Sequence, residues 1–590
     1  MIYRGDIQIF RAIAVLQVLL FHLGVTGFRA GFLGVDIFFV ISGYLMTKLY
    51  GPKDAPTEFY LRRARRLLPA YFAVIAITII AGFFLTLPTD FRQIAAQVLF
   101  ACSMTSNIGF WLQNSYFSQT EFNPLLHLWS LGVEFQFYLV FPILVYFARK
   151  WRAALPIMGG SSLALCLLLV LVSPKTSFFM LPTRIWEFVI GMWAASRQPT
   201  PEKRSWLGLI GFAGMLLVPL LPVFGDGRNI ISGHPAAAAI LITAATGMAL
   251  IFRLPSGLVN SFAGLQGQRI GNVSYSLYLV HWPILILAHY IPFGGTQSGV
   301  TGLKDTVTCI GAIIIATLLL YVFVERNGHR LFKPSYAIAA IVMLAGSSFA
   351  LERAQLGLFD KRDNQIFAAF SDRAAYRCGK MFRVLHPTNT VCQIGSGKNG
   401  SVLLIGDSHA DSIKQEFATL ASRSGYATYF SVDNDPLITP GLDGTWLLRE
   451  ARRYKARAVF LHYALGNLRA PLVMAAKRAL ENSGIRLILI LPTPDFSFNV
   501  PQELYQVRHG ANARHATTLS DYRKELPNLG GPLTQDGIQV IDVAPLFCDS
   551  VCRTSSTDGG VLYFDSGHLT LHGAHVLKPA IETAIQMVRP

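Results

Sequence analysis

Long apolar segments fill residues 7–351 of this chain and constrain its fold more than any other feature. Eleven stretches there approach the roughly 20 residues that an α-helix needs to cross a bilayer. They lie near 7–24, 32–49, 69–87, 126–147, 153–172, 178–196, 206–222, 235–252, 273–291, 305–324 and 335–351. A twelfth candidate, 90–112, is more polar, and we expect it to be interfacial or re-entrant. The pattern predicts a polytopic α-helical membrane domain with about 11 transmembrane helices.

Charge and composition exclude several classes of protein. Of the 590 residues, 52% are hydrophobic and only 14% are charged, which is too apolar for a soluble protein of this size. The net charge of +17 would suit a nucleic-acid binder, but the basic residues lie in short loops between apolar segments. We therefore predict contact with membrane lipid and none with nucleic acid.

The same basic residues predict the topology. With a cytoplasmic N-terminus and eleven crossings, eighteen Lys and Arg residues fall in the N-terminal tail and cytoplasmic loops, and five in the opposite loops. Positive residues are retained on the cytoplasmic side of bacterial inner membranes. We expect a multi-pass inner-membrane protein whose C-terminal domain lies outside the cytoplasm, which in a Gram-negative bacterium is the periplasm.

Beyond the apolar region the chain has the pattern of a globular α/β domain. Strand-like runs near 402–405, 427–432, 457–463, 486–492 and 538–543 alternate with helical stretches. This alternation predicts a three-layer α/β/α domain with a parallel sheet. The predicted organisation is a membrane domain of ten helices at 1–333, an eleventh helix and a linker at 334–400, and the α/β domain at 401–590.

Four of the seven cysteines fall in the region predicted to be exported. An even number in an oxidising compartment indicates disulfides. By proximity we pair Cys378 with Cys392 and Cys548 with Cys552, the alternative being free thiols. We predict no metal site, because no second Cys/His pair has ligand spacing.

The first apolar segment carries two ionisable residues, Arg11 and His22. Eleven residues make about three helical turns, so both side chains lie on nearly the same face, roughly 16 Å apart along the axis. Ionisable groups in a spanning helix usually face the bundle interior or a water-filled path. The alternative is that each is an interfacial anchor.

Two acidic residues lie inside other apolar segments and need partners there. Glu134 shares a helical face with His127 and Tyr138, and its candidate partners are Arg11, Arg184 or a histidine. Glu187 lies one turn beyond Arg184, which predicts an ion pair. His281 is a further buried titratable group. A lone buried histidine is more often structural, but several ionisable groups in one bundle favour a reaction or transport path.

One short pattern lies within the second segment and another follows it. The Ser42–Gly43 step predicts close approach of a neighbouring helix. The run at 62–69, RRARRLLP, places four arginines on the cytoplasmic side, more than an anchor requires. Since arginine matches phosphate geometry, this patch could hold a phosphorylated cytoplasmic ligand.

A Ser-His-Asp arrangement is predicted in the α/β domain. Ser408, in the sequence GDSH, follows a short buried strand and precedes a helix, so its hydroxyl is exposed at a strand-to-helix turn. Asp565 and His568 lie three residues apart before a C-terminal helix. His568 would take the serine proton and Asp565 would orient the imidazole. The alternative is a capped turn without catalytic function.

The membrane half resembles the acyltransferase-3 family over residues 5–333. The motifs are Arg11 with His22, FFVISGY at 38–44, RRARRLLP at 62–69, HLWSLGVEFQFY at 127–138 and SYSLYLVHWPI at 274–284. The resemblance implies acyl transfer from a cytoplasmic acyl-CoA, acetyl-CoA above all, to an extracytoplasmic glycan. It also implies that Arg11 and His22 are essential, together with an Arg-x-x-Arg pair, best matched by Arg63 and Arg66.

The C-terminal half resembles the SGNH hydrolases over about 400–590, on the GDS block and the Asp-x-x-His block. The two middle blocks, which supply oxyanion donors, match poorly. LHYALGNL offers Gly466 and Asn467 without the usual spacing, and 432–441 has no recognisable glycine block.

Together the halves look like the fused proteins that O-acetylate bacterial surface polysaccharides, such as O-antigen, lipopolysaccharide, exopolysaccharide or peptidoglycan. In this interpretation Arg63 and Arg66 bind the phosphates of acetyl-CoA. Arg11, His22 and Glu134 pass the acetyl group outward, and Ser408 delivers it to the glycan. Two alternatives stay open: a membrane module joined to a periplasmic deacetylase, and an acyltransferase whose SGNH domain only binds glycan.

Overall fold

In the computed structural model the chain divides into two compact units, Met1–Gln355 and Leu356–Pro590. The first is a helical region with several apolar helices, and the second is an α/β domain with a mixed sheet. The structure describes residues 4–51, 54–113, 122–197, 204–221, 234–297, 299–375, 377–379, 382, 386, 391–432, 443–526 and 538–588.

The first unit contains seventeen described α-helices, the last of which, α17, ends at Leu356, and an eighteenth, α18, begins the second unit. They are α1 Gly5–His22, α2 Gly34–Leu49, α3 Pro56–Leu85, α4 Pro88–Cys102, α5 Ser106–Leu112, α6 Leu128–Lys150, α7 Ala154–Val172, α8 Pro174–Phe179, α9 Ile185–Ser196, α10 Ser205–Leu217, α11 Ala237–Phe252, α12 Ser256–Val259, α13 Phe262–Asn272, α14 Ser274–Ala288, α15 Gly302–Leu320, α16 Gly328–Leu331, α17 Pro334–Leu356 and α18 Lys361–Ala369.

Within the described residues, eight helical stretches are long and apolar enough to cross a membrane. They are Gly5–His22, Gly31–Leu49, Pro56–Leu85, Leu128–Lys150, Ala154–Leu171, Phe262–Ala288, Gly302–Glu325 and Pro334–Leu356. Three shorter apolar helices occupy Ile185–Ser196, Ser205–Leu220 and Ala237–Phe252. The more polar segment at 90–112 forms α4 and α5, each shorter than a bilayer-spanning helix.

Helices α2 and α9 pack backbone against backbone. An ideal Cβ at Gly43 would lie 2.0 Å from the carbonyl oxygen of Phe188, and one at Gly191 would lie 1.9 Å from that of Val40. No real Cβ tolerates such distances, so only glycine permits this approach. The predicted close approach at Gly43 is confirmed, and small residues drive helix association in the membrane in this way.

Gly43→Ala should therefore destabilise the first unit. A methyl group that meets a backbone oxygen forces the two helices apart, which typically costs about 1–3 kcal/mol. We expect a lower melting temperature for the full chain in detergent. Gly160→Ala is the matched control, because nothing lies within 4 Å of its added Cβ in α7. Equal melting of the two variants would contradict the packing argument.

The second unit is built on a six-stranded sheet of order β1-β3-β2-β4-β5-β6. Its strands are β1 Val391–Gly395, β2 Ser401–Gly406, β3 Ala427–Val432, β4 Ala456–His462, β5 Arg486–Ile490 and β6 Gln539–Ile541. All neighbours pair in parallel except β1, which joins β3 antiparallel. Strand β1, an edge strand of mixed burial, was not predicted, and it lies within the expected linker.

The helices of this unit alternate with its strands. They are α19 Ser408–Arg423, α20 Gly444–Arg453, α21 Ala470–Leu480, α22 Val500–Arg508, α23 Leu519–Glu525, α24 Ala544–Phe547, α25 Leu571–Val576 and α26 Lys578–Gln586. Helix α18 also belongs here, since Asp363 accepts a hydrogen bond of 2.9 Å from Arg508 Nε. Central strand β2 is buried at every residue, and it delivers the chain to α19 at its carboxyl end.

Both disulfides expected from sequence proximity are present. Cys378 is joined to Cys392 across 14 residues, and Cys548 to Cys552 across four. The first attaches the segment before β1 to that edge strand. The remaining cysteines, which lie in the membrane half, are free and buried: Cys102, Cys166 and Cys309.

Candidate functional site

A serine, a histidine and an aspartate lie in line at the carboxyl end of β2. Ser408 is the first residue of α19, and its Oγ lies 2.7 Å from His568 Nε2. On the other side of the ring, His568 Nδ1 lies 2.7 Å from Asp565 Oδ2. Since the carboxylate accepts from Nδ1–H, Nε2 is left to accept the serine proton. This geometry suits nucleophilic catalysis by Ser408.

The turn that presents Ser408 is held by Asp407. One carboxylate oxygen accepts the backbone N–H of His409 at 2.9 Å and caps α19. The other accepts from Ala464 N at 3.0 Å and from Asn467 Nδ2 at 2.7 Å, which binds the turn to the loop after β4. Asp407 therefore fixes the position of Ser408 relative to β2 and β4.

The oxyanion donors expected from sequence lie beside this turn. Asn467 uses one amide hydrogen on Asp407, which leaves its second hydrogen for another acceptor. Gly466 lies next to it in the same loop, with open space where a side chain would be. The N–H of Ser408, in the first turn of α19, has no intrahelical partner and is a further donor. The glycine block sought at 432–441 lies outside the described residues except Val432.

Two residues next to His568 were missed as parts of this site. The ring of His409 lies 4.6 Å from that of His568, so it packs on the imidazole and takes no part in the line of hydrogen bonds. Burial lowers the pKa of His409 to about 3. Asp495 lies beside Gly567, and its Oδ1 is buried without a hydrogen-bond partner in the described structure. Burial raises the pKa of Asp495 to about 6. His409 belongs to the GDSH block but was given no role from sequence, and Asp495 belongs to no recognisable sequence motif.

The charges around His568 favour its protonated form. Burial alone would lower the pKa of His568, but the hydrogen bond and charge of Asp565, with Asp407 and Asp495 nearby, raise it above 6.5. Burial alone would raise the pKa of Asp565, and His568 and two backbone N–H groups bring it below 3.8. The pair is thus an imidazolium and a carboxylate at acidic pH, and His568 becomes a base as pH rises.

A pH profile should report this pair. Only neutral His568 can take the Ser408 proton, so turnover should be lost as pH falls through a midpoint above 6.5. With para-nitrophenyl acetate as the probe, we expect such an acidic limb for the full chain. Asp565→Asn should move the limb to lower pH and reduce the plateau by at least about 10²-fold. A midpoint below 6.5 in the unsubstituted protein would contradict the assignment.

In the first unit, three of the predicted arginines line one cavity of about 90 Å³. Arg11 comes from α1, and Arg63 and Arg66 come from α3, one turn apart. Arg11 is 8% exposed, and the buried Nε of Arg63 has no hydrogen-bond partner in the described part of the chain. A buried, unsatisfied guanidinium N–H at a cavity is costly without an anion to accept it.

Glu134 lines the same cavity, but its partners differ from those expected. Its carboxylate accepts a hydrogen bond of 2.6 Å from Ser42 Oγ and another from Tyr138 OH. The prediction of a direct partner among Arg11, Arg184 and the histidines is wrong. Arg184 instead lies 3.1 Å from Asp36 and 3.1 Å from Glu187, so the predicted Arg184–Glu187 pair is present. Tyr138 lies one turn beyond Glu134 in the same helix, but Ser42 comes from α2, and spacing along one helix does not reveal a partner from another.

Glu325 was missed by the sequence analysis. It ends the π-helical turn Tyr321–Glu325 that continues α15, and it accepts a hydrogen bond of 2.5 Å from Ser276 Oγ. It is close enough to interact electrostatically with Arg11 and Arg66. Such turns often mark functional positions, but they have no sequence signature.

His22 lies eleven residues after Arg11 and contacts a different residue, His281. Its Nδ1 is 3.0 Å from His281 Nε2, and the two rings meet edge to edge, with centroids 5.2 Å apart and planes that differ by 18°. His127 completes the cluster, its ring 5.7 Å from that of His281. The structure thus joins three histidines that lie far apart in sequence.

Among the described residues, one group could hold a metal ion: His289, Asp305 and Cys309. His289 Nε2 lies 2.8 Å from Asp305 Oδ2, and the same oxygen accepts from Thr301 N at 2.7 Å. These contacts are hydrogen bonds within the protein, which satisfy the carboxylate without an ion.

Comparison with known proteins shows the family. The model of the acyltransferase-3 domain matches residues 4–326, more than half of the chain, and that of the SGNH domain fused to such domains matches 377–583. A protein named as a membrane-bound transacylase, BcsY of Komagataeibacter xylinus, is 29% identical over 337 residues, which are 55% of this chain and 83% of BcsY.

Two O-acetyltransferases are also similar. OatA of Staphylococcus aureus is 32% identical over 304 residues, 47% of this chain. The peptidoglycan O-acetyltransferase OatA of Listeria monocytogenes is 28% identical over 310 residues, 48% of this chain. In both cases the match spans 50% of the relative's length.

Among solved structures, the periplasmic domain of a lipopolysaccharide acetyltransferase of Salmonella ser. Paratyphi A aligns with 38% of this chain and 97% of its own, at 16% identity and a TM-score of 0.28. That likeness is too distant to bear on function. The match of the acyltransferase model over most of the helical unit is decisive: the chain is an acyltransferase of the acyltransferase-3 family, with the SGNH domain that is fused to such enzymes.

Proposed function

We propose that this protein is a membrane O-acetyltransferase that moves an acetyl group from cytoplasmic acetyl-CoA to a hydroxyl of an extracytoplasmic glycan. The observation that carries the proposal is the line Ser408–His568–Asp565, with its two 2.7 Å contacts, in a chain of the acyltransferase-3 family. The names of the relatives point the same way, to acyl transfer by membrane-bound proteins and to peptidoglycan as one acceptor.

The proposed binding site for the acyl donor, acetyl-CoA, is the arginine-lined cavity. Arg63 and Arg66 would bind phosphate groups of acetyl-CoA, which is supported by the unsatisfied Nε of Arg63. Arg11 lines the same cavity from another helix. The N-terminus would be cytoplasmic, in an inner membrane, as the distribution of basic loop residues predicts.

The proposed site of acetyl transfer to the glycan is the SGNH domain, in the periplasm. Ser408 Oγ would bond to the acetyl carbonyl carbon while its proton moves to His568 Nε2. The bond between that carbon and its donor would then break, and His568 would give the proton to the departing donor group. The N–H of Ser408 and the free amide hydrogen of Asn467 would stabilise the oxyanion. A sugar hydroxyl would then attack the serine ester, with His568 as base, and release Ser408. The product is an O-acetylated glycan.

The experiment is mass spectrometry of the surface polysaccharide from a deletion strain. Loss of acetyl groups, restored by the intact gene but not by His22→Ala, is the expected result. A gain of acetyl groups on deletion would instead favour the alternative of a periplasmic deacetylase. Unchanged acetylation would contradict both functions.

A further inference from the structure

We propose that His281 is a positioning residue that sets the tautomer of His22 and leaves His22 Nε2 as the basic atom. This inference rests on the proposed function, in which His22 serves acyl transfer. It adds a residue from α14, which is 259 positions away from His22 in sequence.

A backbone carbonyl group sets the direction of the hydrogen bonds between these two histidines. His281 Nδ1 lies 2.6 Å from the carbonyl oxygen of Tyr278. A carbonyl can only accept, so Nδ1 of His281 carries the proton. In a neutral imidazole the other nitrogen is then an acceptor, and that nitrogen is the one that faces His22.

The second hydrogen bond follows from the first. His281 Nε2 lies 3.0 Å from His22 Nδ1. Because His281 Nε2 accepts this hydrogen bond, His22 Nδ1 must donate it. With its proton on Nδ1, neutral His22 presents a lone pair at Nε2. A charged ring at His281 would reverse the second bond, but His281 is 1% exposed inside an apolar helix, where charge is expensive.

The surroundings hold both rings in place. The planes of His22 and His281 differ by 18°, and the indole of Trp282 lies 4.5 Å from the His22 ring. Tyr278, whose carbonyl starts the chain of bonds, is itself anchored, since its hydroxyl lies 2.6 Å from Ser130 Oγ. A histidine oriented by a second group through its other nitrogen is a common way to prepare a base.

His127 is outside this chain of bonds. Its ring lies close to that of His281, but neither of its nitrogens has a hydrogen-bond partner among the described residues. The cluster therefore contains one ordered pair and one neighbouring ring.

The test compares two substitutions of the same residue in the full chain. Membrane vesicles from the deletion strain, expressing each variant, receive labelled acetyl-CoA, and label in the strain's own glycan is measured. His281→Leu removes the acceptor, so His22 is free to place its proton on Nε2. We expect kcat to fall by about 10²-fold, with KM for acetyl-CoA changed by less than about twofold.

His281→Gln distinguishes orientation from packing. The glutamine carbonyl oxygen can replace Nε2 as acceptor, so kcat should recover to within about tenfold of the parent. His289→Gln, at the end of the same helix and bonded to Asp305, is the matched control and should remain within about twofold. These two results would support the proposal.

Three outcomes would overturn it. Equal losses in the Leu and Gln variants would mean that His281 acts by packing alone. Wild-type kcat in His281→Leu, with His22→Ala inactive, would remove His281 from the mechanism and leave the proposed function intact. Full activity of His22→Ala would overturn both this inference and the role proposed for His22.

Discussion

Ser408→Ala should lower acetylation of the surface glycan to the level of the deletion strain, a loss of at least about 10³-fold in the transfer rate. The Ser408 hydroxyl, whose oxygen lies 2.7 Å from His568 Nε2, forms the proposed serine ester, and alanine has no group that can replace it. The measurement is acetyl content by mass spectrometry, together with hydrolysis of para-nitrophenyl acetate by the full chain.

Ser422→Ala is the matched control for this variant. Ser422 lies in the last turn of the same helix, α19, and the substitution is identical, so a general weakening of the helix would affect both variants. We expect near-parental acetylation for Ser422→Ala. If Ser408→Ala retains full acetylation while His22→Ala abolishes it, the serine ester is wrong, and a domain that only binds glycan becomes the better interpretation.

Arg184→Leu should destabilise the helical unit by about 3–5 kcal/mol. The Arg184 side chain is 0% exposed and lies 3.1 Å from both Asp36 and Glu187, which are also fully buried. Without the guanidinium, two carboxylates face each other in an apolar interior with no cation between them. We expect a much lower melting temperature in detergent and little protein in the membrane.

A compensated variant separates lost charge balance from lost packing. Adding Asp36→Asn and Glu187→Gln to Arg184→Leu removes every charge of the group, and replacing a whole buried ionic group is far less costly than breaking it. We expect most of the lost stability to return. Equal instability of the single and triple variants would show that the shape of Arg184 matters more than its charge.

Structural features that depend on interactions between residues near in sequence were the ones that the sequence predicted. The membrane helices follow from the length of apolar runs, and the strands of the second unit follow from short buried runs between turns. The disulfides join cysteines 14 and four residues apart, so proximity was sufficient. Strand β1 was missed because an edge strand is only partly buried and has no strong apolar pattern.

In both candidate sites, some residues were predicted from local sequence patterns and others were not. A strand followed by Gly-Asp-Ser-His and a late Asp-x-x-His predicted Ser408, Asp565 and His568 as one group, since local turns place each of them. The partners of Glu134 were mispredicted because Ser42 reaches it from another helix. Asp495 and Glu325 carry no motif, and only the folded chain brings them beside the other ionisable groups.

By itself the sequence determined the two-part architecture, the approximate helices and the motif residues of both candidate sites, because hydrophobicity, turn chemistry and short spacings act over a few residues. Tertiary structure alone decided which side chains meet across helices: Arg63 with Arg11 around one cavity, and His22 with His281 in one hydrogen bond. The reason is physical. Packing of helices distant in sequence depends on complementary surfaces, and those surfaces exist only once the chain has folded.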